Sequence, residues 1–465
     1  MKLAAICIFL VAAVLIVTAA SGDLWLDEVI SLSFAESASS AWEIVSGFRH
    51  DNNHLLNTLY LYWIGRQKLL VIYRLLAILA GIGSIVLVGA LAQKWGQIER
   101  LFSLLLAGTS YPLVLYFSEA RGYSPAIFFA LLSLAILLYR RHHMNLLRLA
   151  AFWLSLCLGL LAHSTFVIVL IALGATVLVD SCRRNPNLKF CSLMMARFFL
   201  VPVLFSAGFY VFFVRNMHIE GGPVFNKWEV ICRAAALALG FSEWGLFPTA
   251  ALLVVIVAMV VGTVLLYQDG SFLWVFFPTV LLAAPFLVVA ATRPTYLYFR
   301  YFLICTPFLY LLLGYLLGRW YRSAFLVSRL LVVALLVAFV FSQALRLAPL
   351  LQSGRGSYRA AVRYLEANTD GNEIRVGSDH DFRNQVLLSF YARFLSPGVR
   401  LAYIEQPGWK TDRPEWIITH SQNPAFTPPD RLELRGIGHY RLTKEFRFAA
   451  ISGWHWFLFH KEADR

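Results

Sequence analysis

Two adjacent carboxylates, Asp27 and Glu28, stand in "LWLDEVISL", a few residues beyond the first apolar run of the chain. A carboxylate partly withdrawn from water can serve as a general base. The same pair also suits a plainer task, bounding that run or capping a helix that starts near Val29. A second polar group is "YFSEARGYS", residues 116–124, in a very short turn between two apolar runs. Glu119 and Arg121 either pair with each other there or leave Arg121 to offer its fork of donors to phosphate oxygens. A third is "RPTYLYFRYF", residues 293–302. Arg293 and Arg300 among Tyr296, Tyr298 and Tyr301 read as an aromatic belt with snorkelling cations, or as an anion site for a lipid head group.

The histidines divide. His54, beside Asp51, Asn52 and Asn53, either starts an apolar helix or contacts a substrate. His163, in the tight turn "LLAHSTF", reads as structural. "DHD" at 379–381 and the distant His420 have metal-ligating side chains but no spacing that fixes a geometry, so they read as loop polarity. His142 and His143 read as loop residues.

The elements that must position these groups are membrane helices. The 465 residues are 59% hydrophobic and 14% charged, with a mean hydropathy of +0.67, which is more apolar surface than a water-soluble core of this size buries. About eleven runs reach spanning length: residues 3–20, 70–93, 101–117, 124–139, 147–162, 165–180, 196–214, 246–267, 272–291, 301–318 and 328–346. Arg140, Arg141 and Arg148, then Arg183, Arg184 and Lys189, then Arg319, Arg322 and Arg329 fall between alternate runs. The positive-inside rule assigns that side to the cytoplasm. Lys2 agrees, so the N-terminus is expected inside, with the first run retained rather than cleaved as a signal peptide. An odd number of spans then puts the region after about residue 348, and Asp27 with Glu28, outside.

The net charge of +14 divides unevenly, +3 over residues 349–465 and +11 over the remainder. Basic cytoplasmic loops facing anionic lipid account for much of that excess, so no nucleic-acid surface is required. Among the 13 acids of the membrane part, Glu99, Asp180 and Asp269 alone fall on or near the cytoplasmic side. Acids hardly influence topology, so their outward bias asks for a functional reason. The six cysteines lie in spans, in a cytoplasmic loop or singly outside, and residues 349–465 hold none. That pattern suits neither a disulfide framework nor a structural zinc site.

Two domains are expected. Residues 1–348 form a transmembrane domain with outer-face loops at 21–69 and 215–245. The first loop carries short amphipathic surface helices, including one over residues 52–65, and the second carries a turn in "EGGPVFNKW" followed by a surface helix. Residues 349–465 alternate helix and strand, with strands at "EIRVGS", "RLAYIE", "PEWIITH" and "GWHWFLFHK", which predicts a small α/β domain. No internal repeat is evident.

The succession of Asp27-Glu28, "DNNHLLNTLYLYW", "SEARGYSPAIFFALLS" and "YFRYFLICTPFLYLLLGYLL" resembles the GT-C glycosyltransferases, in the bacterial protein-mannosyltransferase-like and aminoarabinose-transferase-like branch (glycosyltransferase families 39 and 83). The resemblance covers most of the membrane part and rests on the order of the motifs. It implies a polytopic α-helical membrane protein of GT-C type with a C-terminal extracytoplasmic α/β domain, in a bacterial inner membrane. It further implies inverting transfer of a sugar from a polyprenyl-phosphate donor to an outer-face acceptor, a glycan, lipid or protein. The catalytic residues it implies are Asp27, as or near the base, with Glu28 and Glu119. Arg121, Arg300 and Tyr301 are the expected donor-phosphate contacts, and His54, Tyr123 and Tyr298 the expected substrate contacts. The family's His-Pro appears here as His54-Leu55, without the proline. A Mg²⁺ or Mn²⁺ ion between carboxylate and phosphate would suit such chemistry, although the sequence does not demand one.

Two other readings compete. A transporter or flippase of lipid-linked sugars would use the same charges along a path, but its usual repeat symmetry and broken midplane helices are not evident. An envelope scaffold would work through residues 349–465.

Overall fold

The computed structural model describes residues 1–140, 144–219, 223–423, 425–448 and 453–462. Arg141, His142 and His143 of the expected cytoplasmic loop, Glu220, Gly221 and Gly222 of the expected turn, and the side chain of Arg140 lie outside the described residues.

The chain opens with α1 (Lys2–Ala19), then three helices in the first loop, α2 (Leu26–Ser37), α3 (Ala41–Ser46) and α4 (Leu55–Ile64). Next come α5 (Leu75–Ala92), α6 (Gln97–Thr109), α7 (Tyr111–Phe117), α8 (Tyr123–Arg140) and α9 (Leu146–Ala162). α10 (Val167–Arg184) and α11 (Leu188–Phe212) lead to α12 (Lys227–Leu239) in the second loop. α13 (Phe247–Gln268), α14 (Leu273–Pro278), α15 (Ala284–Thr292), α16 (Thr306–Tyr321) and α17 (Leu326–Ser353) complete the membrane part. Among the described residues eight helices are long and apolar enough to cross a membrane, and the bent pair α6 and α7 makes a ninth. α8 and α9, at the two other places where the sequence predicts spans, are shorter apolar helices. On α13 the large residues Leu253, Val257, Val260 and Val264 are exposed, as expected of a helix that meets hydrocarbon.

The bend between α6 and α7 is 63°. Pro112 lies in the first turn of α7, where a missing N–H costs nothing but the ring cannot continue α6. Ser110 at the break caps α7 and exchanges a 2.8 Å hydrogen bond with the Tyr310 hydroxyl on α16. α5 packs against α6 and α8, and α8 against α9. This delivers the chain from α7 into the turn 118–122 and back down α8.

The C-terminal part has α18 (Tyr358–Ala367) and α19 (Asp381–Tyr391) with six strands, β1 (Glu373–Ser378), β2 (Arg400–Tyr403), β3 (Trp416–Ser421), β4 (Arg431–Leu434), β5 (Gly438–Phe446) and β6 (His455–Lys461). Sheet order is β2-β1-β3-β6-β5-β4. β1 pairs in parallel with both β2 and β3, and the remaining pairs are antiparallel. Trp409, Ile417, Tyr440, Phe457 and Phe459 form one of its cores. The hairpin β4-β5 is absent from the sequence reading. Its turn is marked by Gly436 at φ 78°, a conformation that favours glycine.

Contacts divide the chain into two compact units. The first comprises residues 1–17, 34–66 and 73–345; the second comprises 18–33, 67–72 and 346–465. Residues 18–33 belong to the second because polar side chains hold them there. The Asp23 carboxylate accepts from the Arg359 backbone at 2.8 Å and forms an ion pair with its guanidinium. The Tyr391 hydroxyl donates to the Leu24 carbonyl at 2.7 Å, and Arg355 donates to the Ala19 carbonyl.

Candidate active site

In the first unit the polar cluster is built on the start of α4. Asn53 donates to the carbonyls of Ile44 and Phe48 at 2.9 and 2.7 Å, which fixes the chain after α3. His54 follows at the N-cap of α4 without a side-chain capping bond, so its ring is left for contacts elsewhere. Asn57, fully buried in the first turn of α4, donates to the Ala120 carbonyl at 2.7 Å. Asn52 accepts from the Arg121 guanidinium at 2.8 Å. The turn 118–122 is therefore held to the first loop from both sides.

Gly122 permits that approach. A Cβ there would collide with the Ala162 carbonyl and lie 2.9 Å from the His54 Cβ. Ala162 ends α9 and is followed by His163, so three connections meet at one glycine. The His54 and His163 rings stack at 4.7 Å and 26°. Tyr123 lies 4.3 Å from His163 and 5.5 Å from His54, and Tyr301 lies 6.5 Å from His163. The ring of His163 thus joins those of His54, Tyr123 and Tyr301.

The electrostatics follow from burial. Both histidines are in connections between helices. Burial lowers His163 to about 3, and the charges of Arg121 and Arg300 push the same way. Burial likewise holds His54 well below the usual imidazole range, reinforced by His163, Arg121 and Arg300. Two neutral rings can stack without repulsion, and the cationic groups of the cluster are then guanidinium groups. His163 Nδ1 accepts from the Thr165 amide at 3.1 Å, which puts the proton of the neutral ring on Nε2.

The other sequence candidates of the first unit gather here. The Arg121 Cζ lies 5.1 Å from the Tyr123 ring centre, and the Arg300 Cζ lies 4.5 Å from that of Tyr298. Tyr298 and Tyr301 meet edge to face at 5.8 Å. Glu119 is buried, its carbonyl accepts from the Arg121 amide at 2.8 Å, and its charge acts on Tyr116. The two long loops are joined by a bridge between His50 and His218, with the Asp51 amide donating to the His218 carbonyl at 3.0 Å. Asn52, Asn57 and Gly122 are the positioning residues that the sequence reading passed over. The Asn-rich "DNNHLLN" and the glycine after Arg121 were the signals.

Asp27 and Glu28 belong to the second unit. Both lie in the first turn of α2, where a negative charge complements the helix dipole. Glu28 is fully buried and its Oε2 accepts from the Trp25 amide at 3.1 Å, the reciprocal half of a capping box. Asp27 is half-buried, and its backbone carbonyl accepts from the Ser31 hydroxyl at 2.9 Å.

Among the described residues no three His, Cys, Asp or Glu side chains come together as a metal-binding group.

No protein-family model matches the chain, and no curated protein matches it in sequence. Solved structures do. The chain is similar to ArnT from Cupriavidus metallidurans in the apo state, with a TM-score of 0.53 and 13% identity over 89% of this chain and 92% of that one. The chain has the GT-C fold. ArnT bound to undecaprenyl phosphate gives a TM-score of 0.51 and 14% identity over 99% and 98% of the two chains. The oligosaccharyltransferase of Archaeoglobus fulgidus, in its apo form, gives 0.52 and 10% over 90% and 69%. The GT-C architecture expected from the order of the polar motifs is thus present, in an integral membrane protein, at sequence identities that carry the fold alone.

Proposed function

We propose that this chain is a membrane glycosyltransferase that moves a sugar from a polyprenyl-phosphate donor to an acceptor on the extracytoplasmic face. The observation that carries the reading is that Arg121 and Arg300 are linked through one chain of ring contacts, Arg121 to Tyr123, Tyr123 to His163, His163 to Tyr301, Tyr301 to Tyr298 and Tyr298 to Arg300, in a chain with the GT-C fold. Two guanidinium groups that burial cannot neutralise suit a phosphate group. ArnT, which shares the fold, has been seen with undecaprenyl phosphate. An apolar cleft lined by Ile231, Ala234, Phe299, Phe302 and Leu309 takes in residues on both sides of Arg300 and Tyr301, which suits an isoprenoid chain.

In this proposal Asp27 takes the proton of the acceptor hydroxyl as its oxygen attacks the anomeric carbon. The bond from that carbon to the phosphate oxygen breaks, with inversion, and the lipid phosphate departs with the electron pair. Arg121 and Arg300 stabilise the charge that develops on it. Tyr123, Tyr298, Tyr301 and His54 shape the polar wall, and Glu119 keeps the turn 118–122 acidic beside Arg121. Glu28 acts through α2, by capping it.

The test is mass spectrometry of lipid-linked sugars and envelope glycans from cells lacking the gene. Accumulation of one lipid-linked sugar together with loss of that sugar from one envelope component is expected. Unchanged pools of both would overturn the reading. Transbilayer movement of a lipid-linked sugar in liposomes without glycosyl transfer would replace it with the transporter.

A further inference from the structure

The connection between α10 and α11 carries two of the six cysteines, Cys182 in the last turn of one helix and Cys191 in the first turn of the other. The cysteine pattern suits no disulfide framework, yet the fold brings these two sulfur atoms to 2.9 Å from each other. A disulfide bond is about 2.05 Å long, so the pair stands less than about 1 Å from bonding distance. The connection is built to hold them there. Asn185 closes α10 with its amide donating to the Ser181 carbonyl, and its Oδ1 accepts from the Asn187 amide at 3.0 Å. Asn187 caps α11, its Oδ1 accepting from the Lys189 amide at 2.9 Å. Pro186 fixes its own φ between them. The Cys191 thiol donates to the Asn185 carbonyl at 3.4 Å, so the turn itself orients one of the two sulfur atoms.

We propose that Cys182 and Cys191 form a reversible disulfide when the chain meets hydrogen peroxide. Cys182 is exposed and Cys191 is buried, which divides the work between them. Peroxide reaches the Cys182 sulfur and oxidises it to a sulfenic acid; the O–O bond breaks and one oxygen leaves as water. The Cys191 sulfur then attacks the sulfenic sulfur. The S–S bond forms as the S–O bond breaks, and the second oxygen leaves as water with the thiol proton. In sum, two thiols and one peroxide give one disulfide and two waters, with both sulfur atoms oxidised and the peroxide reduced. Among the described residues no other two cysteine thiols are in contact, so this pair is where such a bond forms without rearrangement.

The surroundings suit a switch rather than a permanent brace. Arg183, Arg184 and Lys189 flank the pair, and they belong to the clusters that the positive-inside rule assigns to the cytoplasm. Small thiols keep cysteines reduced in that compartment. The bond therefore forms under oxidative load and is undone by thiol exchange. While it lasts it closes a ring over residues 182–191 and ties the end of α10 to the start of α11, two helices that pack against each other.

The inference does not rest on glycosyl transfer, and thiol chemistry alone tests it. The full chain in nanodiscs is treated with hydrogen peroxide, blocked with a maleimide and digested with trypsin without reductant. Trypsin cuts after Arg183, Arg184 and Lys189, so only a disulfide keeps the Cys182 and Cys191 peptides together. A joined peptide lighter than its two parts by about 2 Da, the two hydrogens lost, is expected. Two thiols per chain should disappear from maleimide labelling, and reduced glutathione should restore both. Cys191→Ser leaves Cys182 without a resolving thiol, so dimedone should trap its sulfenic acid there and label the native chain far less. The joined peptide should also form faster in the folded chain than in chain unfolded in SDS, because the fold and not sequence proximity brings the thiols together. The inference is overturned by absence of the joined peptide, by Cys182 joined to another cysteine, by equal rates in folded and unfolded chain, by a bond that glutathione does not reverse, or by equal dimedone labelling of Cys191→Ser and the native chain.

Discussion

His54 and His163 stack face to face with ring centres 4.7 Å apart, each held neutral by burial and by the same two arginines. Folded values below the ordinary imidazole value of about 6.5 mean that, as pH falls, the unfolded chain takes up these protons first. The unfolded state then binds more protons than the folded one, so stability rises with pH across this window. It is complete above the ordinary value and declines as pH falls from there toward about 3, where folded His163 protonates. The slope is up to about 1.4 kcal/mol per pH unit for each histidine. Thermal unfolding in detergent between about pH 7 and pH 4 should show this decline, and His163→Gln should flatten it. A slope untouched by that substitution would remove His163 from the account.

Asp27 and Glu28 are adjacent but differently engaged, and their substitutions should separate. Asp27→Asn should lower glycosyl transfer by about 10²–10⁴-fold, the range for a lost general base, with undecaprenyl-phosphate binding unchanged. Glu28→Gln retains an acceptor for the Trp25 amide and should lower the melting temperature more visibly than the rate. Rates on the purified protein, read beside melting curves, decide; full transfer by Asp27→Asn would refute the base assignment.

Arg121 is held by Asn52 at 2.8 Å, and a lysine cannot keep that bond while presenting a fork to phosphate. Arg121→Lys is expected to weaken undecaprenyl-phosphate binding about tenfold. Asn52→Ala, which removes that acceptor but keeps the guanidinium, should fall between that variant and the native chain. Equal affinities for all three in a lipid-binding titration would separate Arg121 from the phosphate.

Gly122 has no room for a methyl group, whereas Gly208 in the interior of α11 meets nothing within 4 Å. Gly122→Ala should cost about 1–3 kcal/mol through overpacking against Ala162 and His54, and transfer should fall with it. Gly208→Ala is expected to be neutral or stabilising by up to about 1 kcal/mol, because alanine is the better helix former. Comparable melting curves for the two variants would mean that the turn 118–122 can yield.

The apolar runs and the strand pattern of residues 373–378, 400–403, 416–421 and 455–461 were legible in the sequence, because periodicity and composition are local properties. The hairpin β4-β5 was not, since its strands alternate weakly and only Gly436 marks the turn. Within the candidate site, the residue types of Arg121, Arg300, Tyr123 and His54 marked them as candidates, costly groups beside apolar helices. Tertiary structure alone decided that His163 stacks on His54, that Asn52 and Asn57 pin the turn 118–122, and that His420 closes on Asp379. Each depends on helices and strands distant in sequence meeting through packing, and no local pattern encodes such a meeting. For Glu28 the tertiary structure shows full burial, with Oε2 accepting from the Trp25 amide at the start of α2, a placement that the sequence alone leaves open.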